Sequence, residues 1–524
     1  MSTSADGVGR VSHVSHAGAV LAALGEDPGR EALVHGERRF TAGEFRDLVH
    51  RLARALEGRG AGRGDGVTLL CGNAPETIAV RYAAHLLGCR ITHLYGGLAA
   101  EAQAALVRDV ETRFLVAGRG QEARAAELTA LVPGLEVLAL GSSAAGPDLL
   151  EPAARESAEP FTGRAGPEDI CVVRHTGGTT GHPKAIRTTF AQLSLWYASL
   201  PGPRSPGDRL LVCTTLAHAV GLLTDAVLGS GGTVVLQEGF DAGAVLAAVE
   251  RERITHLFLL PPMLYELLDH PAADRTDTSG LRAVLYGGCQ ASPARLADAV
   301  RRFGPVLVQF YGQNEAGGIS VLTPEDHDPE RPDRLRSAGR VLPGVEVAVR
   351  DPAGHDLPPG EHGEICVRSP QMMTGYWKRP ELTAEVLRDG WVHTGDIGFL
   401  DDDGYLTIVD RLKDMIVVVG GHVYTTELED LLNSHPGVSR SAVFGVLDED
   451  RVERVHAAVV RAPGGGLTER EIRAWVRRRR GPMYEPARVT WLDTLPLTPT
   501  GKPDKILLRD QALTTARPDP GRHA

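Results

Sequence analysis

From Val67 to Tyr286 the chain alternates short apolar runs with stretches of helical spacing, and this alternation limits the folds open to it. Val67-Thr68-Leu69-Leu70, Phe114-Leu115-Val116, Val137-Leu138-Ala139-Leu140, Thr233-Val234-Val235-Leu236, His256-Leu257-Phe258-Leu259-Leu260 and Ala283-Val284-Leu285-Tyr286 each read as a strand. A helix is expected around Glu76 to Leu87. An earlier one is marked by Thr41, an N-cap residue followed three places later by Glu44 in the pattern of a capping box. Leu48, Leu52, Ala55 and Leu56 follow it at helical spacing. Strands interleaved with helices predict an α/β fold built on parallel layers.

The character changes after Ser337. From Val345 to Val367 short β-like runs are broken by Asp351-Pro352-Ala353-Gly354 and Pro358-Pro359-Gly360, so a small β unit is expected there. Beyond Asp410 a separate stretch has strand–helix alternation of its own. It includes Arg477 to Arg480, which read as a solvated helix surface rather than an RNA-binding face. The residues through Ser12 and those after Thr514 are expected to be flexible.

Length and charge bound the function. A chain of 524 residues exceeds one ordinary domain of roughly 100–200 residues. A formal charge of -11 argues against a general nucleic-acid binder, which needs a basic face. Six single cysteines, with no C-x-x-C pair, suggest neither a zinc site nor a disulfide framework. No apolar run approaches the roughly 20 residues of a membrane span, and no secretory signal is apparent, so a cytoplasmic enzyme is expected.

Chemistry concentrates in Thr176-Gly177-Gly178-Thr179-Thr180-Gly181-His182-Pro183-Lys184. Glycines bring backbone N–H groups close to an anion, threonine hydroxyls add donors and the lysine adds a point charge. The composition suits phosphate, but the spacing is not that of a Walker A loop. A Gly/Thr surface loop is the plain alternative.

This segment resembles the signature loop of the adenylate-forming superfamily: acyl-CoA and aryl-CoA synthetases, nonribosomal adenylation domains and firefly luciferase. Other motifs of that superfamily recur in order. Tyr311-Gly312-Gln313-Asn314-Glu315 resembles its Y-G-x-T-E, and His393-Thr394-Gly395-Asp396 its T-G-D. Asp410-Arg411-Leu412-Lys413-Asp414 resembles its hinge, and Pro499-Thr500-Gly501-Lys502 its C-terminal catalytic lysine motif. The resemblance implies a large N-terminal domain over residues 1–410 and a smaller mobile α+β domain over 411–524. The active site would be formed by both, with the hinge near Lys413.

It also implies roles. Thr176, Gly177, Gly178, Thr179, Thr180, Gly181 and Lys184 would hold the phosphates of ATP. Gly287 and Gly288 would admit adenine, and Tyr311, with Gly312, would stack on it. Asn314 stands at the phosphate or metal contact, and Glu315 would hold Mg²⁺, a hard cation that takes oxygen ligands. Asp396 would accept from the ribose hydroxyls, and Arg411 would support the ribose or phosphate. Lys502 would stabilise charge on the acid and α-phosphate. Rotation about Lys413 would then withdraw it for the second half-reaction.

Some positions depart from the usual pattern: Asn314 replaces Thr, His175 stands where a small hydroxyl residue is common, and Ala185 replaces Gly. They suggest a specialised branch. Ala217-His218-Ala219-Val220-Gly221 resembles the substrate-side motif. His218 stands where amino-acid activators carry Asp, which disfavours an α-amino acid; it is either a substrate ligand or a gate. Trp196, Tyr197, His218, Gly287, Gly288 and Gly312 are the expected pocket lining. The expected activity is ATP-dependent activation of an aryl or acyl carboxylic acid to an acyl-adenylate. Transfer to a thiol, most simply CoA, follows, because Gly420-Gly421-His422-Val423-Tyr424 resembles a pantetheine-tunnel loop. The alternative is a natural-product enzyme whose acceptor is an amine, nitrite or a carrier protein. A non-catalytic nucleotide-binding relative would need neither Lys502 nor Glu315.

Overall fold

The alternation of apolar runs and helices folds into layered α/β structure. The computed structural model describes residues 15–94, 98–175, 184–199, 204–418, 421–448, 452–464, 466–498 and 501–516. The N-terminal dozen, the segment Thr176 to Pro183, Gly420, Pro499, Thr500 and the chain after Ala516 lie outside the described residues. Two compact units divide the chain. The first contains the described residues up to His175 and from Ala185 to Phe240; the second contains Lys184 and the described residues from Asp241 onward.

The first unit holds a six-stranded sheet ordered Glu136–Ala139, Thr112–Ala117, Gly66–Leu70, Arg90–His93, Ile170–His175 and Ala185–Thr189. All neighbours are parallel except the last pair, where His175 lies opposite Ala185. Val67, Leu69, Phe114, Leu115 and Leu138 are buried, which is why these strands read as near-continuous apolar runs. A second group of strands pairs Arg209–Val212, Thr233–Leu236 and Glu31–His35 in parallel, with Arg38–Thr41 antiparallel at its end. The expected capping box forms at the helix Ala42–Gly58: the Glu44 N–H donates to Thr41 Oγ1 at 3.2 Å, and the Thr41 N–H donates to Glu44 Oε2 at 2.8 Å. The helix Pro75–Leu86 is buried along its whole length, carrying Arg81 and His85 inside with it.

In the second unit, His256–Leu259, Ala283–Gly287 and Leu307–Gln313 run parallel, followed by antiparallel Gly317–Leu322 and Arg340–Val341. The small β unit is an antiparallel sheet of Glu346–Arg350, Gly363–Arg368, Trp391–Leu400, Leu387–Arg388 and Leu406–Arg411, so it extends well past Val367. The C-terminal stretch has a three-stranded sheet, Val438–Leu447, Glu453–Arg461 and Arg488–Leu492, with helices Thr425–Asn433, Glu469–Arg480 and Lys505–Ala516. Its own apolar core includes Ile416, Val423, Leu428, Val443, Val459 and Ile472. The chain is thus mixed α/β with a smaller C-terminal domain. The closing helix continues to Ala516, past the expected end of order at Thr514. Arg477 pairs with Glu485 at 2.5 Å and Arg479 stacks on Trp475, so part of the arginine run is spent within its own domain. Among the described residues no helix is long and apolar enough to cross a membrane.

Candidate active site

Four residues converge on one carboxylate. Strand register sets Asp396 directly opposite Arg411, and Arg411 Nε lies 2.6 Å from Asp396 Oδ1. Tyr311 and Gln313 are two apart on the strand Leu307–Gln313 and therefore share a face. The Tyr311 hydroxyl donates to Asp396 Oδ2 at 2.7 Å, and Gln313 Nε2 donates to the same oxygen at 2.6 Å. Burial, then the Asp396 charge, pushes the Tyr311 phenol well above its ordinary value, so it stays a donor. Asp396 is buried, and its carboxylate is fixed before any ligand arrives. Two carboxylate oxygens offer about four acceptor positions; three donors leave one, on Oδ1, for a ribose hydroxyl. Gln313 is a site residue that the motif reading passed over, because the motif leaves its place unspecified.

The turn that carries Asp396 is itself held. The Thr394 hydroxyl donates to the Ile365 carbonyl at 2.6 Å and accepts from the Asp396 N–H at 3.0 Å. The Gly395 N–H donates to Glu364 Oε1 at 3.2 Å, while Glu364 Oε2 lies 2.8 Å from His393 Nδ1. With Cys366, these two residues bring donor atoms of metal-ligating type within 4.8 Å of one another. Arg388 stands 4.0 Å from Glu364, and Arg350 bears on the Cys366 thiol, so two cations already oppose a dication there.

Lys502 and Lys413 come to the same place. As a residue Lys502 is exposed, yet its ammonium is crowded: desolvation first, then Arg411, lowers its pKa, while Cys289 and Asp396 act the other way. Lys413 is lowered too, by desolvation and by Arg411 and Lys502, against Asp414 and Asp396. Arg411 thus pairs with Asp396, and the charges of Lys502 and Lys413 bear on the same carboxylate, a cation-rich field suited to a polyphosphate. Gly501 has φ +79°, and a Cβ there would stand 2.8 Å from Leu260 Cδ1. Leu260 thus sets how closely the loop bearing Lys502 approaches.

Next to Arg411, Asp410 faces the other way. Its Oδ2 accepts from the Thr425 N–H at 2.5 Å and its Oδ1 from the Thr425 hydroxyl at 3.0 Å. Lys505 donates to Thr425 Oγ1 at 2.8 Å and pairs with Glu429 at 2.9 Å. Burial raises Asp410 from 3.8 to about 6 despite Lys505. Consecutive residues thus anchor to different parts of the unit.

Glu315 and Lys184 meet through Tyr376, a residue the sequence did not single out. The Tyr376 hydroxyl donates to Glu315 Oε1 at 3.0 Å, and the Lys184 ammonium lies 5.3 Å from the Tyr376 ring centre. Glu315 and the adjacent Asn314 are both half-buried. Glu315 Oε2 is a hard oxygen that fits Mg²⁺. Of the glycines, Gly288 has φ +84°. At Gly287 a Cβ would meet the Phe310 carbonyl at 2.5 Å, and at Gly312 the Gly317 carbonyl at 2.5 Å. The space freed at Gly312 is therefore filled by backbone, not left for a ring or chain. Thr176, Gly177, Gly178, Thr179, Thr180 and Gly181 lie outside the described residues.

The first unit holds His218, at the N-terminus of the helix Ala219–Gly229, on the wall of a small cavity of about 20 Å³. Leu193 and Leu222 line that cavity, and Trp196 and Tyr197 are not among its walls. The helix Phe190–Ser199 turns Tyr197 away, so that its hydroxyl packs against Gly229 and its ring lies under Arg204. His175 is buried, with Nε2 3.6 Å from Asp109 Oδ2; desolvation lowers its pKa against Asp109.

Known proteins share this fold. Residues 21–377 match the family model of the AMP-binding enzymes, and residues 427–502 match the AMP-binding enzyme C-terminal domain. The chain is 37% identical over 511 residues to a medium/long-chain-fatty-acid–CoA ligase of Mycobacterium tuberculosis, covering 94% of this chain and 89% of that one. It is 36% identical over 483 residues to a feruloyl-CoA synthase of Amycolatopsis sp, covering 91% and 94%. A solved amide bond synthetase from Marinactinospora thermotolerans superposes with a TM-score of 0.86 at 41% identity, covering 95% of this chain and 99% of that one.

Proposed function

Because the chain belongs to the family of AMP-binding enzymes and is an ATP-dependent, AMP-forming acid ligase, we propose that it joins a carboxylic acid to AMP around Asp396 and Lys502 and then passes the acyl group to the thiol of CoA. The observation that carries this reading is the Asp396 carboxylate, held by Tyr311, Gln313 and Arg411, with the charges of Lys502 and Lys413 bearing on it. Asp396 accepts a ribose hydroxyl and fixes the nucleotide, with the Tyr311 ring beside the adenine. Lys184, with Thr179 and Thr180, holds the outer phosphates. The acid's carboxylate oxygen attacks the α-phosphorus, the bond to the β-phosphate oxygen breaks, and pyrophosphate leaves with that electron pair. Lys502 and Arg411 stabilise the charge that builds on the α-phosphate and cost little reorganisation, because they are already in place. A Mg²⁺ ion held at Glu315 would neutralise phosphate charge. In the second step a thiolate attacks the acyl carbon and AMP departs.

Lys413 is our hinge, dividing residues 1–410 from 411–524. Asp410 and Arg411, anchored on different partners immediately before it, support a pivot at this point. ATP and CoA as co-substrates make the cytoplasm the compartment we assign.

One observation favours a second acceptor. The amide bond synthetase shares more identity with this chain than either CoA ligase relative described above, so an amine acceptor in a biosynthetic pathway is the second reading. The test is a mass-spectrometric screen that offers ATP with a panel of acids, and CoA, amines and nitrite in competition. Acyl-CoA with AMP supports the first reading and an amide with AMP the second. No AMP from any acid would overturn both.

A further inference from the structure

The cavity in the first unit has a polar lining with no carboxylate among the described residues. Arg81, His85, His93, Arg174 and His218 face it, with Ile91 and Leu193 among its apolar walls. Arg81 comes from the buried helix Pro75–Leu86 and His93 from the strand Arg90–His93. Arg174 lies on the strand Ile170–His175. Elements distant in sequence therefore aim cationic or donor-bearing side chains into one small space.

The arginine at its floor is a built feature. Asp225 is fully buried behind it, holds Arg81 Nη2 by an ion pair, and accepts from the Tyr82 hydroxyl at 2.5 Å. His16 Nε2 stands 3.5 Å from the other Asp225 oxygen. On the opposite side, Arg81 Nη1 is turned toward Gly221 in the cavity wall, 3.5 Å from where a Cβ would stand. A guanidinium nine-tenths buried, fixed from behind by a carboxylate and presented to a cavity, is organised to receive an acceptor. Burial pushes His85 well below its ordinary value and, with Arg81, Arg174 and His218, holds His93 at about 3. Both imidazoles are neutral at pH 7; the His85 Nε2–H donates to the Cys171 carbonyl at 3.3 Å, while His93 offers its single N–H as a donor.

We infer that this cavity receives a compact oxyanion of the AO₂⁻ type, either the far carboxylate of a short dicarboxylic acid or a free ion of that shape such as nitrite. The inference rests on the reading that His218 borders the acid. The lining supports it: two arginines, Arg81 and Arg174, face one small cavity of about 20 Å³. Chemistry supports it as well, since burying an anion is tolerable only where charged donors meet it.

The test measures ATP–pyrophosphate exchange with malonate and succinate, with nitrite and formate, and with octanoate, benzoate and ferulate. The same panel is run on Arg174→Gln and His93→Leu, with thermal unfolding as a check on folding. Arg81→Met is avoided, because it would strand buried Asp225 without its cation. Exchange led by dicarboxylates points to a carboxylate tail, and exchange led by nitrite to the free ion. In either case Arg174→Gln should raise KM for that anion at least tenfold while KM for ATP is unchanged. If octanoate, benzoate or ferulate is the best substrate and its KM is indifferent to both substitutions, the inference is wrong while acid activation stands. If no acid supports exchange, the activity reading fails first. A variant that melts with the wild type but leaves the KM of the preferred anion unchanged also overturns it.

Discussion

Gly501→Ala offers a sharp test of how Lys502 is delivered. The new Cβ would stand 2.8 Å from Leu260 Cδ1, and the backbone there has φ +79°. The left-handed conformation costs an alanine about 1 kcal/mol or somewhat more. That strain lies within the loop, so on the proposed hinge at Lys413 it would be common to both orientations of the C-terminal domain. The clash with Leu260 exists only while the loop is docked. Its neighbour is the end of a flexible side chain, so the cost belongs at the low end of the overpacking range, about 1–2 kcal/mol. Undocking by that amount should slow adenylation between about fivefold and about thirtyfold. Thiolysis of a supplied acyl-adenylate should change less than about twofold, since it does not use the docked loop. Adding Leu260→Ala removes the clash and should restore most of the adenylation rate, while leaving the φ strain. The assay is pyrophosphate release in a single turnover, paired with thiolysis of the supplied adenylate. Equal loss in both half-reactions, or no rescue by Leu260→Ala, would refute the reasoning.

Other outcomes follow from the same structure. Lys502→Ala should slow acyl-AMP formation by about two to three orders of magnitude, read in single turnover; an unchanged rate would remove Lys502 from the mechanism. Substituting Pro for Lys413 should impair thioester formation more than adenylation, and matched losses would move the hinge elsewhere. Asp410 has a folded-state pKa of about 6, above its ordinary 3.8, so its share of stability is full below about pH 4 and is lost as pH rises through 6. Asp410→Asn should therefore gain on the wild type as pH rises from 5 to 8, by about 1.4 kcal/mol, measured by denaturant unfolding at each pH. Thr41→Ala should cost about 1 kcal/mol of stability in the same measurement, through loss of the capping box.

Local chemistry was legible in the sequence and convergence mostly was not. The Thr41–Glu44 box and the strand Thr233–Leu236 depend on neighbouring residues, and both form where the residues indicate. Asp396, Arg411 and Tyr311 were legible because each sits in a motif of its own, although only the sheet register brings them together. Gln313 was hidden in an unspecified motif position, and Tyr376 stood in no motif at all. The cavity lining was also missed, since Arg81, His93 and Arg174 lie on separate elements. A signal was present nonetheless: a helix buried on every side, yet carrying Arg81 and His85, is spending polar residues inside the protein. Helix phase, which the sequence did not settle, puts Leu193 of Phe190–Ser199 on that cavity and turns Tyr197 toward Gly229.

The two anchors at Asp410 and Arg411 bear on protein engineering. Ile416 begins a core that belongs to the C-terminal domain, so a recombination junction between homologues looks natural just before it. Such a junction would part Asp410 from Thr425 and Lys505 and leave a buried carboxylate facing foreign partners. A junction upstream of Leu406 would carry Asp410 with its partners, but it would bring a foreign strand opposite Asp396. Hybrids made by exchanging the C-terminal domain should therefore work best when both parents share the residues at 396, 410, 411, 425 and 505, however different their acid pockets are.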